Sequence, residues 1–126
     1  MPAYDISTTA FAIAAQRKWV DNVTSHHHIL GVESKQRGIQ REFSFDAVVL
    51  LSVIHVINTQ LHVPIGRAVE LATQASSDPG GRFQLPGGIA ISLDTSALAR
   101  QAQQRLLEAI ESVPRARRGR PRQLAK

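Results

Sequence analysis

A mainly helical protein with small β-hairpins is what the sequence predicts, and three observations carry that expectation. Apolar residues recur three and four apart through most of the chain, as one face of a helix requires. Two polar or Gly/Pro-centred tips, at residues 33–38 and 86–88, are flanked by short segments with strand-like apolar spacing. Breakers then punctuate these units at 76–81 and at Pro114.

From Ser7 to His28 the pattern is helical. Ser7 or Asp5 is placed to cap a first helix carrying Phe11, Ala12, Ala14 and Ala15. Polar Gln16, Arg17 and Lys18 interrupt the apolar run. A second helix follows, with Trp19, Val20 and Val23 on its inner stripe and Arg17, Lys18, Asn22, Ser25 and His26 falling largely elsewhere. Two short helices joined by a tight break suggest a helix-turn-helix. Ile29, Val32, Ile39 and Phe43 then surround the tip Glu33-Ser34-Lys35-Gln36-Arg37-Gly38, which reads as a hairpin with a basic end.

Ser44 is set to cap a third helix, with Asp46 in the first turn favourable to the dipole. That helix is apolar nearly all round and is expected to be buried on more than one side. Pro64 suits the first position of a fourth helix, on which Ile65, Ala68, Val69 and Ala72 recur at i, i+3, i+4 and i+7. Residues 76–81 form a linker. Around Pro86-Gly87-Gly88, Phe83, Leu85, Ile89, Ile91 and Leu93 share one face of a second hairpin. Asp94 or Thr95 caps a last helix on which Ala99, Ala102, Leu106, Ala109 and Val113 recur, supplemented by Leu98 and Ile110. A lone hairpin is marginal in water, so these last elements must pack on the body or on a second copy.

Composition narrows the function classes. The chain has 126 residues and a formal charge of +5, the size of one ordinary domain with a tail. Residues 115–126 hold six of the fifteen basic residues and no acid, leaving nine basic against ten acidic residues elsewhere. The positive charge is therefore a local handle for a polyanion. No cysteine is present, which excludes disulfides, thiolate metal sites and cysteine nucleophiles. The run from Ala47 to Ile57 is too short to span a bilayer, and residues 5–9 lack the charge pattern of a signal peptide. A soluble, cytoplasmic, nucleoid-associated protein is the resulting expectation.

The order helix, turn, helix, basic hairpin, then Arg41-Glu42-Phe43-Ser44-Phe45-Asp46 leading into paired helices resembles the winged-helix DNA-binding domain of the MerR family. Arg41, Phe43, Ser44 and Asp46 match the family's Arg, aromatic, Ser or Thr and acidic residue before its third helix. Leu61, Pro64, Ile65 and Val69 match the entry to its fourth. The resemblance covers roughly residues 4 to 76. Lys18-Trp19-Val20-Asp21 stands where the family carries Arg-Tyr-Tyr-Glu, and the family's long dimer coiled coil with its effector site has no counterpart. A shortened relative without a small-molecule effector is implied, closer to phage excisionases and small developmental regulators of similar build.

The last stretch, Arg117-Arg118-Gly119-Arg120-Pro121-Arg122, is similar to the AT-hook, an extended peptide that enters the minor groove of AT-rich DNA. Glycine allows the backbone against the groove floor, proline holds it extended, and arginines follow the negative groove. Arg117 stands where a Pro often precedes the first core Arg of the hook. A generic basic tail is the alternative.

The organisation expected is thus a winged helix-turn-helix over 1–76, a hairpin plus helix for dimerisation or packing over 77–114, and a disordered basic tail over 115–126. The candidate DNA contacts are Arg17, Lys18, Asn22, Ser25 and His26 on the second helix, and Lys35, Arg37 and Arg41 on the hairpin, with Arg117 to Arg122 in the tail. Arg41 has the competing role of an ion pair with Glu42 or Asp46. His26-His27-His28 points in three directions on a helix, unlike a metal site, and His55 and His62 read as packed or solvent-tipped. The glycines at 80, 81, 87 and 88 lack a phosphate-loop setting, and no catalytic constellation stands out. No enzyme, cofactor or metal is expected. The function predicted is sequence-specific binding of double-stranded DNA by a homodimeric transcriptional regulator. The alternatives are a DNA packaging or recombination accessory factor, or a protein-interaction module with a polyanion-binding tail.

Overall fold

Asp5 starts the first helix, α1 (Ile6–Ala12), by accepting the Thr8 N–H on its Oδ1 at 2.8 Å. The break comes earlier than the sequence pattern placed it: Ala14 and Ala15, expected on the first helix, lie in a tight C-terminal turn, and Arg17 and Lys18, expected at the break, open the next helix. Ala14 adopts φ +58°, and its N–H donates to the Phe11 carbonyl while the Ala15 N–H reaches the Ala10 carbonyl at 2.9 Å. These are the paired bonds of a Schellman motif, in which the left-handed residue is usually glycine. Ala14 is exposed, so Ala14→Gly removes no contact. It relieves about 1–2 kcal/mol of left-handed strain and adds about 0.4–1 kcal/mol of unfolded-chain entropy. A net gain of about 0.5–1 kcal/mol is expected in urea denaturation.

The computed structural model describes residues 3–34 and 41–112. After the turn comes α2 (Arg17–His26), which buries Val20 and Val23 and half-buries Trp19. It ends two residues earlier than the sequence pattern suggested: His27 is already extended at φ −135°, ψ 141°. The strands β1 (Val32–Ser34) and β2 (Arg41–Phe43) pair antiparallel, with Val32 opposite Phe43. On the other edge of β2, Phe43 exchanges two backbone hydrogen bonds with Tyr4, each 2.9 Å. This ties the start of the chain to the hairpin. Ile39 lies outside the described residues.

Helix α3 (Phe45–Gln60) begins as expected, with Ser44 Oγ accepting from the Ala47 N–H at 3.1 Å. Its sequence is rich in β-branched Val48, Val49, Val53, Ile54, Val56 and Ile57, residues with modest helix propensity. Burial compensates for that deficit. Ala47, Val48, Leu51, Ser52, Val53, Ile54 and Ile57 are all buried, so the helix is enclosed on several sides. It stops where His62 turns left-handed, at φ +56°.

Helix α4 (Ile65–Ser77) folds back onto α3. Pro64 is its N-cap rather than its first residue, and Ser76 and Ser77 belong to the helix, so the linker shortens to a turn over 78–81. The second hairpin, β3 (Arg82–Leu85) and β4 (Ile89–Ser92), packs on α4 and buries Phe83. Leu85, Ile91 and Leu93 are half-buried, but Ile89, near the tip, is 52% exposed.

Asp94 Oδ1 accepts the Ala97 N–H at 2.9 Å at the start of α5 (Thr95–Ser112). This helix lies across α1 and α3 and buries Ala102, Leu106 and Ala109. Ile110, expected on the inner face, is 58% exposed, because α5 turns it away from that seam. Val113 lies outside the described residues. Phe83, Ala102 and Leu106 join Val20, Phe43, Leu51 and Ile54 in one apolar cluster, so the hairpin and last helix complete the core of the body. No helix among the described residues is long and apolar enough to cross a membrane.

Candidate nucleic-acid interface

Helix α2 is held at several points. Val20 and Val23 are 0% and 1% exposed, each burial contributing about 1.5–3 kcal/mol of apolar transfer. The Trp19 indole N–H donates to Asn58 Oδ1 on α3 at 3.1 Å, and the Asn58 amide in turn donates to the Val63 carbonyl at 2.8 Å. The Trp19 ring meets the His55 ring edge-on, with centroids 4.7 Å apart and planes at 84°. The seat thus joins α2 to α3 and to the turn before α4.

His55 supplies a pH dependence. Its burial disfavours the imidazolium and lowers its pKa below the usual 6.5. The depressed folded-state value means that the unfolded chain takes up the proton first as pH falls. His55 therefore costs no stability above about 6.5 and destabilises progressively as pH drops from there toward the lower folded value. His55→Phe, which keeps a ring against Trp19, is expected to flatten this part of the stability profile in urea titrations at successive pH values. An unchanged slope would contradict the assignment.

The opposite face of α2 is exposed. Arg17, Lys18, Asp21, Asn22, Ser25 and His26 all lie there. Across it reaches Arg41 from the start of β2: Nη1 donates to Asp21 Oδ1 at 2.6 Å and Nη2 to Ser25 Oγ at 2.8 Å. Asp21 and Ser25 are one helical turn apart, so they present two acceptors side by side. The ion-pair partner of Arg41 is therefore Asp21, in place of the Glu42 or Asp46 expected from sequence. At 27% and 53% side-chain exposure, such a pair adds only about 0.2–1 kcal/mol to stability. Its consequence is geometric: the base of the first hairpin is fixed to the outer face of α2.

Of the residues predicted to contact DNA, the structure brings Arg17, Lys18, Asn22, Ser25, His26 and Arg41 onto or against α2. Arg17, Lys18 and Asn22 carry no side-chain hydrogen bond or ion pair among the described residues. His26 is partly committed, since its Nδ1 lies 2.8 Å from the Asn22 carbonyl and serves as donor there. Lys35 and Arg37, and the tail residues Arg117, Arg118, Gly119, Arg120, Pro121 and Arg122, lie outside the described residues.

No protein-family model, curated protein or solved structure matches this chain.

The three consecutive histidines do not share a helix. His26 closes α2, His27 is extended with its ring beside Gly66 of α4, and His28 is exposed. Among the described residues no group of three or more His, Asp or Glu side chains is arranged to hold a metal ion. On the far side of α3, a groove of about 460 Å³ runs toward α5, walled by Phe45, Val49, Leu50 and Ala99 with Leu30 at its edge. Sequence reasoning missed Asp21. Its acidic side chain did not fit a cationic surface, and its partner lies twenty positions away.

Proposed function

We propose that the chain is a double-stranded-DNA-binding protein of winged helix-turn-helix type, with α2 entering the major groove and the first hairpin flanking it as the wing. The observation that carries this reading is the exposed face of α2. Arg17, Lys18 and Asn22 are exposed on a helix whose other side is anchored by Val20, Val23 and the Trp19–Asn58 hydrogen bond. An exposed helix on a firm seat suits groove entry, because side chains on an already placed backbone meet the bases at the least ordering cost. Arg17 suits guanine and Asn22 suits adenine, while Lys18 suits phosphate.

The MerR likeness of residues 4–76 adds to this reading, as does the order of α1, a left-handed turn, α2, and a hairpin bridged to Tyr4. The arginine-rich tail supplies a second, minor-groove or phosphate contact. Tethered to the body, it raises affinity by about 10² or more through effective concentration. Transcriptional regulation is the role that fits such a two-part reader.

A homodimer is part of the proposal. Leu107 and Ile110 are 59% and 58% exposed on α5, and Leu30 is 78% exposed beside the groove of Phe45, Val49, Leu50 and Ala99. A projecting leucine on the wall of a groove that is apolar on one side and lined by Asp46, Ser76, Thr95 and Ser96 elsewhere suits an isologous contact between two copies.

The test is binding-site selection from a random duplex library. Asn22→Ala is expected to relax one base position at a cost of about 1–3 kcal/mol of discrimination. Lys18→Ala is expected to weaken all sites alike and to reduce the salt slope by about 1. Unchanged selection by both variants would remove α2 from the interface.

A further inference from the structure

The carboxylate of Asp21 is out of place on a surface meant for a polyanion, and its electrostatics alone would repel DNA. Its geometry gives it another use. A guanidinium has five N–H donors, of which Arg41 directs one at Asp21 Oδ1 and one at Ser25 Oγ, 2.6 and 2.8 Å away. The Arg41 side chain remains 27% exposed. The two acceptors fix the plane and direction of the fork from two sides, which a single ion pair cannot do, while its remaining donors stay available.

An arginine free in solution loses rotamer freedom when it meets a phosphate, and a rigid acceptor pair removes that cost before binding. Resting on the reading of α2 as the duplex-facing helix, we propose that Asp21 and Ser25 are positioning residues that hold Arg41 pre-oriented for one backbone phosphate of DNA. Arg41 makes the contact, and Asp21 and Ser25 act through it. The phosphate would lie beside the junction of α2 and the first hairpin, so the contact sets the register of the helix in the groove rather than reading a base.

Pre-orientation and simple charge repulsion predict opposite signs. Asp21→Asn removes a negative charge, so repulsion alone predicts tighter binding. Pre-orientation predicts that it weakens binding about three- to tenfold, whereas Arg41→Gln, which removes the contact itself, also lowers the salt slope by about 0.9, the value of one phosphate contact. Fluorescence anisotropy on one duplex across a salt series, with the full chain, measures both. Arg41→Gln is expected to give a similar loss, and the double variant little more than Arg41→Gln alone. Ser25→Ala is expected to weaken binding in the same direction, and Asp21→Glu to retain part of the affinity. Thermal melting of each variant checks that the fold persists.

Asp21→Asn binding as tightly as the unchanged chain, or more tightly, overturns the proposal while leaving the DNA-binding reading in place. Failure of the unchanged chain to bind any duplex overturns both, and is seen before any variant is compared.

Discussion

Phe43→Ala is expected to lower the free energy of unfolding by about 3–5 kcal/mol, a large share of the roughly 5–15 kcal/mol that holds a domain together. Phe43 is fully buried, and three elements meet at it. Its N–H and carbonyl pair with Tyr4, Val32 faces it across the first hairpin, and the next residue, Ser44, caps α3. Removing the ring opens a cavity against backbone that is hydrogen-bonded on two sides and has little freedom to collapse. Phe43→Leu, which keeps most of the volume, is expected to cost less than the alanine. Urea denaturation of both variants checks this, and a loss below about 1 kcal/mol for the alanine would contradict the placement of Phe43 at the centre of the core.

Gly81→Ala is the second change with a large expected effect. Gly81 adopts φ +67°, and a Cβ there would stand 2.0 Å from the Leu93 carbonyl oxygen. That oxygen belongs to backbone that is itself anchored, since the Leu93 N–H donates to the Gly81 carbonyl at 2.9 Å and the Ser92 hydroxyl to the Gly80 carbonyl at 2.6 Å. Left-handed strain of about 1–2 kcal/mol therefore adds to a steric cost of about 1–3 kcal/mol. The damage would fall where the second hairpin hands the chain to α5. Gly87→Ala separates the two terms: at φ +87° it shares the strain, but nothing lies within 4 Å of its added Cβ. It is expected to cost about 1–2 kcal/mol, clearly less than Gly81→Ala, and equal losses would show that the clash at Gly81 is relieved.

Much of this fold is legible in the sequence because its signals are local. Ser44 three residues before the Ala47 N–H it accepts, the periodic apolar stripes of α2 and α4, and the Gly-rich tip of the second hairpin each depend on neighbours within a few positions. Helix ends were less legible. The arrest of α2 at His26 involves a side chain bonding back to the Asn22 carbonyl, and the extended His27 packs beside Gly66, a contact with no local signature. The orientation of α5 was only partly readable, because its apolar residues form two adjoining stripes, and only tertiary packing selects Ala102 and Leu106 over Leu107 and Ile110.

The same distinction runs through the candidate interface. Arg17, Lys18 and Asn22 were legible as the polar side of an amphipathic helix, and they are exposed. The commitment of Arg41 to Asp21 and Ser25 was not, since it requires the fold to set the start of β2 within side-chain reach of α2. Local charge pairing favoured Glu42 or Asp46. The fold instead brings the arginine to Asp21, twenty positions away along the chain.

On the proposed function, the folded body reads duplex DNA independently of its basic tail. This independence is tested most directly by fluorescence anisotropy on AT-rich and GC-rich duplexes at two salt concentrations, comparing the full chain with one ending at Pro114. The shortened chain is expected still to bind duplex, with a salt slope flatter by roughly 0.9 for each phosphate contact removed and a reduced preference for AT-rich sequence. A shortened chain that binds no duplex at all would contradict that independence.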